Sequence, residues 1–392
     1  MSVHPVVKLK PREGRRARAG APWVFANELV LDAATRALKP GTLVRVLAGD
    51  KDGRDFGLGY FNPKSLIAIR LFETGGAVGT AFFAGRLRRA LSLRQMLYDA
   101  PFYRLVHAEG DGLPGLSIDR FGEICVVQVT TAGMEALLDE ALAALDEVVA
   151  PRTVILRNDT ASRALEGLEP YVRAARGEAG RIEIRENGAG HFAEPMSGQK
   201  TGWYYDQRDN RAFMARLTAG RSVLDICCYT GGFAIAAARA GAANVTAIDS
   251  SEPALALAEA AAKANGVSIR LVRADMFEEL ARMAARGEKF DIVIADPPPF
   301  VKSRKDLEAG ARAYRKLARL AAQVTAPGGF LLLASCSHNI AMERFAQECA
   351  GGLARAQRHG ALIRQAGAGP DHPVHPMLPE TAYLKALVYR LG

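Results

Sequence analysis

Residues 221–249 read RSVLDICCYTGGFAIAAARAGAANVTAID, and this stretch decides the fold. An apolar run at 223–226 meets a glycine turn at Gly231 and Gly232, and an alanine-rich segment and a second apolar run ending in Asp249 follow. The pattern predicts a strand, a tight loop, a helix and a second strand, the layout of a nucleotide-binding βαβ unit. Glycines let the backbone approach a ligand closely, and the terminal carboxylate is placed to accept hydrogen bonds from ribose hydroxyls.

The acid that precedes the glycine loop argues against a dinucleotide ligand. The loop lacks a full G-x-G-x-x-G pattern, and Asp225 on the preceding strand would repel a pyrophosphate but attract a cation. S-adenosylmethionine combines an adenosine with an amine and a sulfonium, so it suits one acid before the loop and another at the ribose. The competing interpretation of this stretch alone is an ordinary α/β crossover with a structural turn.

Composition indicates a globular chain with a moderate excess of positive charge. The 392 residues are 49% hydrophobic and 24% charged, which allows two or three domains with hydrophobic cores. The net charge of +9 fits a polyanionic partner, although many basic proteins bind no nucleic acid. Five cysteines without metal spacing, no secretory signal and no membrane-length apolar run predict reduced thiols, a cytoplasmic location, no metal and no membrane.

The chain divides into three predicted regions. They are a small β-rich domain, a central α+β module and a C-terminal α/β domain, at residues 1–75, 76–197 and 198–392. In the first region, short strand patterns lie beside a basic segment at 8–18 that holds six lysines and arginines and one glutamate. A compact barrel next to this segment could grip phosphates, or the segment could be a solvated run of charge.

The central module combines helix and strand patterns. Residues 81–98 predict a helix whose arginines, Arg94 among them, form a basic face, and we expect this face to be solvated rather than bound to RNA. Strand patterns follow, and Asn187-Gly188 between two apolar runs predicts a β-hairpin.

Strand and helix patterns alternate from Val223 to the C-terminus. Seven strands are predicted, at residues 223–226, 244–248, 269–273, 290–295, 329–334, 361–365 and 384–389. The alternation predicts a mostly parallel sheet with helices on both faces and with ligand sites at the carboxyl ends of its strands.

Polar residues end three of the predicted core strands. Asp296 follows an apolar run and precedes three prolines, and because an unpaired buried carboxylate is costly we favour a role in bonding a nucleobase edge. Cys336 ends the next run, where a thiol would face the cofactor crevice if the two strands are neighbours, although a lone cysteine is usually a small buried hydrophobe. Asp275, after the third strand, could accept from an adenine amino group or be an ordinary surface aspartate.

The segment GQKTGWYYDQRDNR at 198–211 mixes basic and aromatic residues. Lys200, Gln207 and Arg208 suit stacking combined with carboxylate or phosphate contacts, or the segment is a linker packed on the next helix. His372 and His375 in DHPVHP lack a third ligand at metal spacing, so they predict loop structure rather than a metal site.

Seven pieces of the chain resemble a known family, the RlmI-like class I S-adenosylmethionine-dependent methyltransferases that act on cytosine C5 of large-subunit ribosomal RNA. The pieces are PWVFANE, EGDGLPGLSIDRFG, QKTGWYYDQRDNR, YTGGFA, DPPPFVKS, ASCS and DHPVHPMLPETAYLK. The resemblance covers nearly the whole chain. It implies an N-terminal PUA domain, a central strand–helix module and a C-terminal Rossmann-like methyltransferase domain. It also implies S-adenosylmethionine as cofactor, S-adenosylhomocysteine as product and 23S rRNA as partner, and it leaves open a homodimer.

The resemblance further implies roles for individual residues. Gln207 and Arg208 would close over the cofactor, and the residues lining it would be Asp225, Tyr229, Thr230, Gly231, Gly232, Asp249, Ser250 and Asp275. Cys336 would add as a thiolate to C6 of the cytosine, which makes C5 nucleophilic enough to take a methyl group. Asp296 would bond the base near N3. Other RNA cytosine-C5 enzymes carry a second cysteine after the proline that follows this acid, and here prolines occupy those positions, which leaves the group that removes the C5 proton open.

Two other functions remain candidates. In a methyltransferase for guanine or adenine amines an aromatic residue follows Asp-Pro-Pro directly, whereas here Pro299 displaces Phe300 by one position, and that chemistry would leave Cys336 without a role. A non-catalytic RNA-binding ribosome-assembly factor would need neither the acids nor the thiol. Against it speaks the joint presence of Asp225, Asp249, Asp296 and Cys336.

Overall fold

The computed structural model describes residues 4–50, 53–72, 76–178, 180–196, 198 and 201–392. The chain forms two compact units, each built from three stretches of sequence. The N-terminal unit comprises Met1–Arg181, Glu194–Trp203 and Pro370–Pro379, and the C-terminal unit comprises Ile182–Ala193, Tyr204–Gly369 and Glu380–Gly392. The residues of the predicted hairpin therefore group with the C-terminal unit rather than with the central module.

The N-terminal unit begins with a five-stranded sheet. Its elements are β1 (Val6–Lys8), α1 (Arg15–Arg18), β2 (Trp23–Val24), α2 (Ala33–Arg36), β3 (Thr42–Leu47), β4 (Asp55–Phe61) and β5 (Ile69–Leu71). The strand order is β1-β3-β4-β5-β2, and only the β1–β3 pair is parallel among these described strands. Within the basic segment, Arg18 pairs with Asp50, whereas Lys8, Arg12 and Arg15 are exposed.

A second five-stranded sheet completes this unit. Its elements are α3 (Thr80–Leu97), β6 (Phe102–His107), β7 (Leu116–Phe121), β8 (Ile124–Val129), α4 (Ala132–Ala136), α5 (Leu138–Val148), β9 (Thr153–Asn158), α6 (Ser162–Leu165) and β10 (Tyr171–Arg176). The order is β10-β9-β8-β7-β6. Helices α4 and α5 form the crossover between β8 and β9, which are parallel.

Arg94 on α3 does not belong to a solvated basic face, and the prediction for this residue is wrong. It is 0% exposed and forms a two-pronged ion pair with Asp111, with Nη1–Oδ1 and Nη2–Oδ2 distances of 2.6 and 2.8 Å. The guanidinium also donates to the carbonyl oxygens of Arg104 and Asp371 at 2.9 and 2.8 Å. These four hydrogen bonds compensate for the loss of hydration, which explains how a helix with many arginines can bury one of them.

The C-terminal unit starts with the predicted hairpin, which is confirmed. Strand β11 (Ile182–Glu186) pairs antiparallel with β12 (Ala189–Ala193), with Glu186 opposite Ala189. The two turn residues, Asn187 and Gly188, both have positive φ angles, of 50° and 76°. Positive φ at both positions is what the favoured two-residue hairpin turn requires, and asparagine and glycine tolerate it best.

A seven-stranded sheet with flanking helices forms the rest of this unit. Its elements are α7 (Arg208–Ala215), β13 (Ser222–Ile226), α8 (Gly232–Arg239), β14 (Asn244–Asp249), α9 (Glu252–Ala264), β15 (Arg270–Arg273), α10 (Met276–Ala285), β16 (Phe290–Ala295), α11 (Leu307–Val324), β17 (Thr325–Ser335), α12 (Met342–Arg355), β18 (Gly360–Ala366) and β19 (Lys385–Leu391). All seven predicted strands are present at close to the expected bounds, and the predicted α/β class is confirmed.

The strand order explains where a site can form. It is β15-β14-β13-β16-β17-β19-β18, parallel except that β19 runs antiparallel to both of its neighbours. The chain winds outward from β13 to β15 and then returns to β16 on the other side of β13. Ligands of open α/β sheets bind at such a reversal, outside the carboxyl ends of the strands.

Side chains of β13 alternate between two apolar layers. Leu224 and Ile226 belong to one buried cluster, and Val223 belongs to another. Because successive strand residues face opposite sides, Asp225 lies on the same side as Val223. Across the described part of the chain, no helix combines the length and apolarity needed to span a bilayer, and no three potential metal ligands cluster together.

Candidate active site

The carboxyl end of β13 carries a fully buried acid, Asp225. Its Oδ2 accepts a hydrogen bond from the backbone N–H of Ala234 at 2.9 Å, whereas Oδ1 has no partner among the described residues. Burial raises the pKa of Asp225 to about 7; the Ala234 hydrogen bond opposes this rise, and the charges of Asp296 and Asp249 reinforce it. A buried carboxyl group with one unpaired oxygen is suited to a cationic or hydrogen-bonding ligand.

The loop after β13 has an unusual backbone. Cys227, Tyr229 and Gly231 have φ angles of 61°, 50° and 79°, so two non-glycine residues adopt the left-handed region. Each such residue costs on the order of 1–3 kcal/mol, and strained residues of this kind cluster at ligand sites. Within the loop, Thr230 is fully buried and its Oγ1 finds no partner in the described structure. The loop therefore adds a second unsatisfied polar atom beside that of Asp225.

Asp249 at the end of β14 holds this loop in place. Its Oδ2 accepts from the N–H of Tyr229 at 2.8 Å, and its Oδ1 accepts from the N–H of Ser251 at 2.9 Å. Asp249 is half-buried and the next residue, Ser250, is exposed. A carboxylate oxygen can accept more than one hydrogen bond, so both oxygens retain capacity for ribose hydroxyls.

Asp275 has a structural role that the sequence pattern did not reveal. The side chain is exposed, and its Oδ1 accepts from the N–H groups of Phe277 and Glu278 at 2.8 and 3.1 Å. Asp275 is thus the N-cap of α10, a position that aspartate favours because it satisfies free backbone donors of the first turn. The second oxygen remains available to a ligand.

Asp296 and Cys336 follow neighbouring strands, as predicted. Strand β16 pairs with β17, and Ala295, which precedes Asp296, lies opposite Leu333. Asp296 is half-buried, and its N–H donates to the carbonyl oxygen of Ile226 on β13 at 3.3 Å. The pKa of the Tyr204 phenol is affected by both groups. Burial raises this pKa, and the charges of Asp296 and Cys336 add to the rise. The acid and the thiol therefore share one edge of the sheet.

The half-buried Cys336 is held between two buried serines. Ser335 Oγ and Ser337 Oγ each lie 2.8 Å from the hydroxyl of Tyr314 on α11. Ser337 Oγ also accepts from the N–H of Val301 at 3.1 Å, which joins this turn to the proline loop after Asp296. The network fixes the backbone on both sides of the thiol, so the Ser-Cys-Ser order has a structural reason.

Lys385 is a buried cation beside the same turn, and no role for it was predicted from the sequence. It is 5% exposed, and its Nζ donates to the carbonyl oxygens of Ser337 and Tyr383, both at 2.8 Å. Burial lowers the pKa of Lys385 to about 8, while the charge of Cys336 raises it. A lysine at the start of the apolar strand β19, between Leu384 and Ala386, is the signal that could have found it, by the same reasoning that singled out Asp296.

The segment before α7 contributes buried polar groups to the C-terminal unit. Gln207 Oε1 accepts from Asn210 Nδ2 at 2.7 Å, but Gln207 Nε2 has no partner among the residues described. Arg208 forms an ion pair with Glu186 of the hairpin, with an Nε–Oε2 distance of 3.5 Å. Lys200, the third predicted residue of this segment, lies outside the described residues.

The other cysteines are poor candidates for a nucleophile. Burial raises the thiol pKa of Cys125, to about 12, and of Cys227, Cys228 and Cys349. The thiolate is the nucleophilic form, so these thiols are held in their unreactive state.

Two family models match this chain. The model of S-adenosylmethionine-dependent methyltransferases matches residues 172–390, more than half of the sequence, and a PUA-like domain model matches residues 7–74. The chain therefore belongs to the S-adenosylmethionine-dependent methyltransferases, for which S-adenosylmethionine is the cofactor. The predicted cofactor and the predicted N-terminal PUA domain are confirmed.

Curated proteins of similar sequence match this chain over nearly its full length. Proteins from Shewanella denitrificans and Photobacterium profundum, both named Ribosomal RNA large subunit methyltransferase I, are each 36% identical to this chain. The matches cover 98% and 96% of this chain and 99% and 96% of those proteins.

Solved structures show the same fold over the whole chain. A Streptococcus mutans protein described as a SAM-dependent methyltransferase superposes with a TM-score of 0.82 at 20% identity, covering 98% of this chain and all of that one. Another methyltransferase, solved in complex with SAH, has a TM-score of 0.83 at 20% identity over 99% of this chain and all of that one.

Proposed function

We propose that this protein methylates C5 of a cytosine in large-subunit ribosomal RNA through a covalent bond between Cys336 and C6 of the base. The observation that carries the proposal is the pairing of β16 with β17, which brings Asp296 and Cys336 to one edge of the sheet. An acid and a thiol at that edge suit a reaction that needs both a hydrogen bond to a base and a nucleophile. The names of the full-length relatives support ribosomal RNA as the substrate.

The residues around the glycine loop fit S-adenosylmethionine. Asp225 Oδ1, Thr230 Oγ1 and Gln207 Nε2 are buried polar atoms with no partner among the described residues. A carboxylate acceptor, a hydroxyl and an amide donor match the ammonium and carboxylate groups of an amino acid. Asp249 would bind the ribose and Asp275 the adenine amine. The other residues that would line the cofactor are Tyr229, Gly231, Gly232, Ser250 and Arg208. When bound, S-adenosylmethionine supplies an electrophilic methyl group.

Cys336 and Asp296 carry the steps that activate the base. The lone pair of the Cys336 thiolate forms the S–C6 bond, and the electrons of the C5=C6 bond move toward N3, which makes C5 nucleophilic. Asp296 takes up a proton from water when the base binds and passes it to N3, where negative charge develops. After C5 has been methylated, N3 gives its proton back to Asp296. Loss of the C5 proton then restores the double bond, and the S–C6 electrons return to sulfur.

RNA binding is assigned to the N-terminal region. We infer that residues 1–75 form the RNA-binding domain, 76–197 without the hairpin the central module, and 198–392 with the hairpin at Ile182–Ala193 the methyltransferase domain, in a cytoplasmic protein. Exposed Lys8, Arg12 and Arg15 would contact phosphates, since basic side chains supply most of the salt-dependent affinity for RNA.

The proposal predicts a specific methylated nucleoside. We expect purified protein, unmethylated large-subunit rRNA and labelled S-adenosylmethionine to yield 5-methylcytidine after digestion to nucleosides and chromatography with mass detection. Small-subunit rRNA serves as the control and should remain unlabelled. If the label appears in methylated guanosine or adenosine instead, the protein is a base-amine methyltransferase and the proposal is wrong. If the protein binds the cofactor but methylates no rRNA, the result favours an assembly factor.

A second prediction concerns the pH dependence of cofactor affinity. Because the pKa of Asp225 is about 7, the carboxyl is mostly neutral at pH 6 and mostly ionised at pH 8. The cationic cofactor favours the ionised form, so its affinity should rise roughly tenfold from pH 6 to pH 8, with proton release on binding near pH 7. Titration calorimetry in two buffers of different ionisation enthalpy measures both quantities.

The Asp225→Asn variant should bind more weakly at pH 8 and lose this slope. Asp275→Asn is the matched control, because asparagine also caps helices well and the slope should persist. A slope that survives Asp225→Asn would assign the titration to another group.

A further inference from the structure

We propose that Lys385 is a positioning residue whose ammonium group stabilises the thiolate of Cys336 and thereby sets the fraction of enzyme ready to attack. The inference rests on the proposed function, since it takes Cys336 as the nucleophile. It assigns a role to a buried cation that neither the cofactor site nor the base-binding acid requires.

The pairing of β17 with β19 places Lys385 next to the Ser-Cys-Ser turn that carries the thiol. Lys385 lies directly opposite Ser335, the residue before Cys336. Its Nζ donates to the carbonyl oxygen of Ser337, the residue after Cys336, at 2.8 Å. The backbone of Lys385 thus pairs with the residue before Cys336 and its amine with the residue after it, and a second bond to Tyr383 O at 2.8 Å fixes the amine.

Burial makes a charged amine at this position costly unless a nearby negative charge offsets the loss of hydration. Lys385 is 5% exposed, and two carbonyl oxygens accept only two of the three hydrogens of an ammonium group. Desolvation lowers the pKa of Lys385 to about 8, and the charge of Cys336 opposes this shift. The coupling is reciprocal, because a thiolate that favours the ammonium is favoured by it to the same degree.

Two tyrosines also respond to the charge of the thiol. Burial raises the phenol pKa of Tyr204 and of Tyr314, and the charge of Cys336 adds to both shifts. Both phenols therefore stay neutral over the range in which a thiol titrates, and Asp296, which also acts on Tyr204, adds negative charge. Among Tyr204, Tyr314 and Lys385, the lysine is the group that can supply positive charge.

The role in the reaction follows from ordinary thiol chemistry. The Cys336 proton leaves to water, the thiolate lone pair remains on sulfur beside the ammonium, and that pair forms the S–C6 bond. On release, the S–C6 electrons return to sulfur and the ion pair is restored. An opposite charge at short range shifts a thiol titration by about one unit or more, which corresponds to a roughly tenfold change in thiolate fraction below the midpoint.

The experiment measures thiolate formation without RNA or cofactor. Full-length protein is treated with iodoacetamide between pH 6 and 10, and alkylation of the Cys336 peptide is followed by mass spectrometry. Lys385→Gln keeps amide donors for the two carbonyl oxygens but removes the charge. We expect its alkylation midpoint to rise by about one pH unit, so that the rate at pH 7 falls about tenfold, while the plateau at high pH is unchanged.

Two further variants complete the test. Lys385→Arg keeps the charge and should retain most of the wild-type profile, and Arg390→Met, which removes an exposed cation from the same strand, should leave the midpoint in place. An unchanged midpoint in Lys385→Gln overturns the inference. A purely structural role would instead change the alkylation rate at every pH, including the plateau, without moving the midpoint. That result also overturns the inference.

The two proposals fail separately. If the midpoint shifts but wild-type protein makes no 5-methylcytidine, the charge coupling stands and the proposed reaction is wrong. If 5-methylcytidine forms but the midpoint does not shift, the reaction stands and Lys385 has no part in ionising the thiol.

Discussion

Cys336→Ala is expected to abolish formation of 5-methylcytidine, with a fall in rate on the order of 10³-fold or more, as is typical when a covalent nucleophile is removed. Without the thiol, C6 receives no electron pair and C5 stays too weakly nucleophilic to take the methyl group. Cofactor affinity should be unchanged, because the groups that fit S-adenosylmethionine lie around the loop after β13. Methylation is measured by nucleoside analysis and affinity by calorimetry.

Cys349→Ala is the matched control for this experiment. Cys349 is buried in α12, and burial raises its thiol pKa, so its loss should change the methylation rate by less than about twofold. RNA containing 5-fluorocytosine offers a direct view of the adduct, because C5 then carries no proton to lose and the S–C6 bond should persist. Full activity in Cys336→Ala would rule out the covalent mechanism.

Arg94→Met is expected to destabilise the N-terminal unit by about 3–5 kcal/mol, the usual cost of removing one partner of a buried ion pair. The substitution leaves the carboxylate of Asp111 buried beside an apolar side chain, and it removes the donors that now satisfy the carbonyl oxygens of Arg104 and Asp371. Trp23 and Trp203, the two tryptophans of the chain, both belong to this unit. Denaturant unfolding followed by tryptophan fluorescence therefore reports the affected unit.

Arg88→Met on the same helix provides the comparison. Its partner is Glu147, and both side chains are about half exposed, at 58% and 49%. Exposed ion pairs contribute about 0–1 kcal/mol, so the unfolding midpoint should move little. Equal effects of the two substitutions would mean that the buried ion pair of Arg94 contributes no more than an exposed one.

Residues that break an apolar run were predictable from sequence. Asp225 lies within an otherwise apolar strand and Asp296 directly follows one, and the alternation of strand and helix patterns placed both at the carboxyl ends of core strands. The sequence placed Cys336 at the same edge as Asp296 only if the fourth and fifth strands are neighbours, and the structure shows that they are. These inferences need only local patterns and the rules of parallel sheets.

Residues whose role depends on distant partners were not predictable. Helical spacing put Arg94 on a basic face, but its burial depends on Asp371, which lies 277 positions later in the chain. Tyr314 looks like any aromatic residue of an amphipathic helix until α11 packs beneath β17, when its hydroxyl meets two serines. Periodicity predicts which face of a helix is apolar, but it does not predict which polar groups of other elements pack against that helix.

The return of the chain to the N-terminal unit at Pro370–Pro379 has a consequence for biosynthesis. Asp371 accepts hydrogen bonds from Arg94 through its carbonyl oxygen and from the N–H of Arg104 through its carboxylate, and Pro373 O occupies the space that a side chain at Gly110 would need. At typical translation rates, roughly 10–40 s separate the synthesis of Arg181 from that of Pro379. A nascent chain thus carries its N-terminal unit unfinished while the sheet that holds Cys336 is being made, and the unit made first is completed almost last.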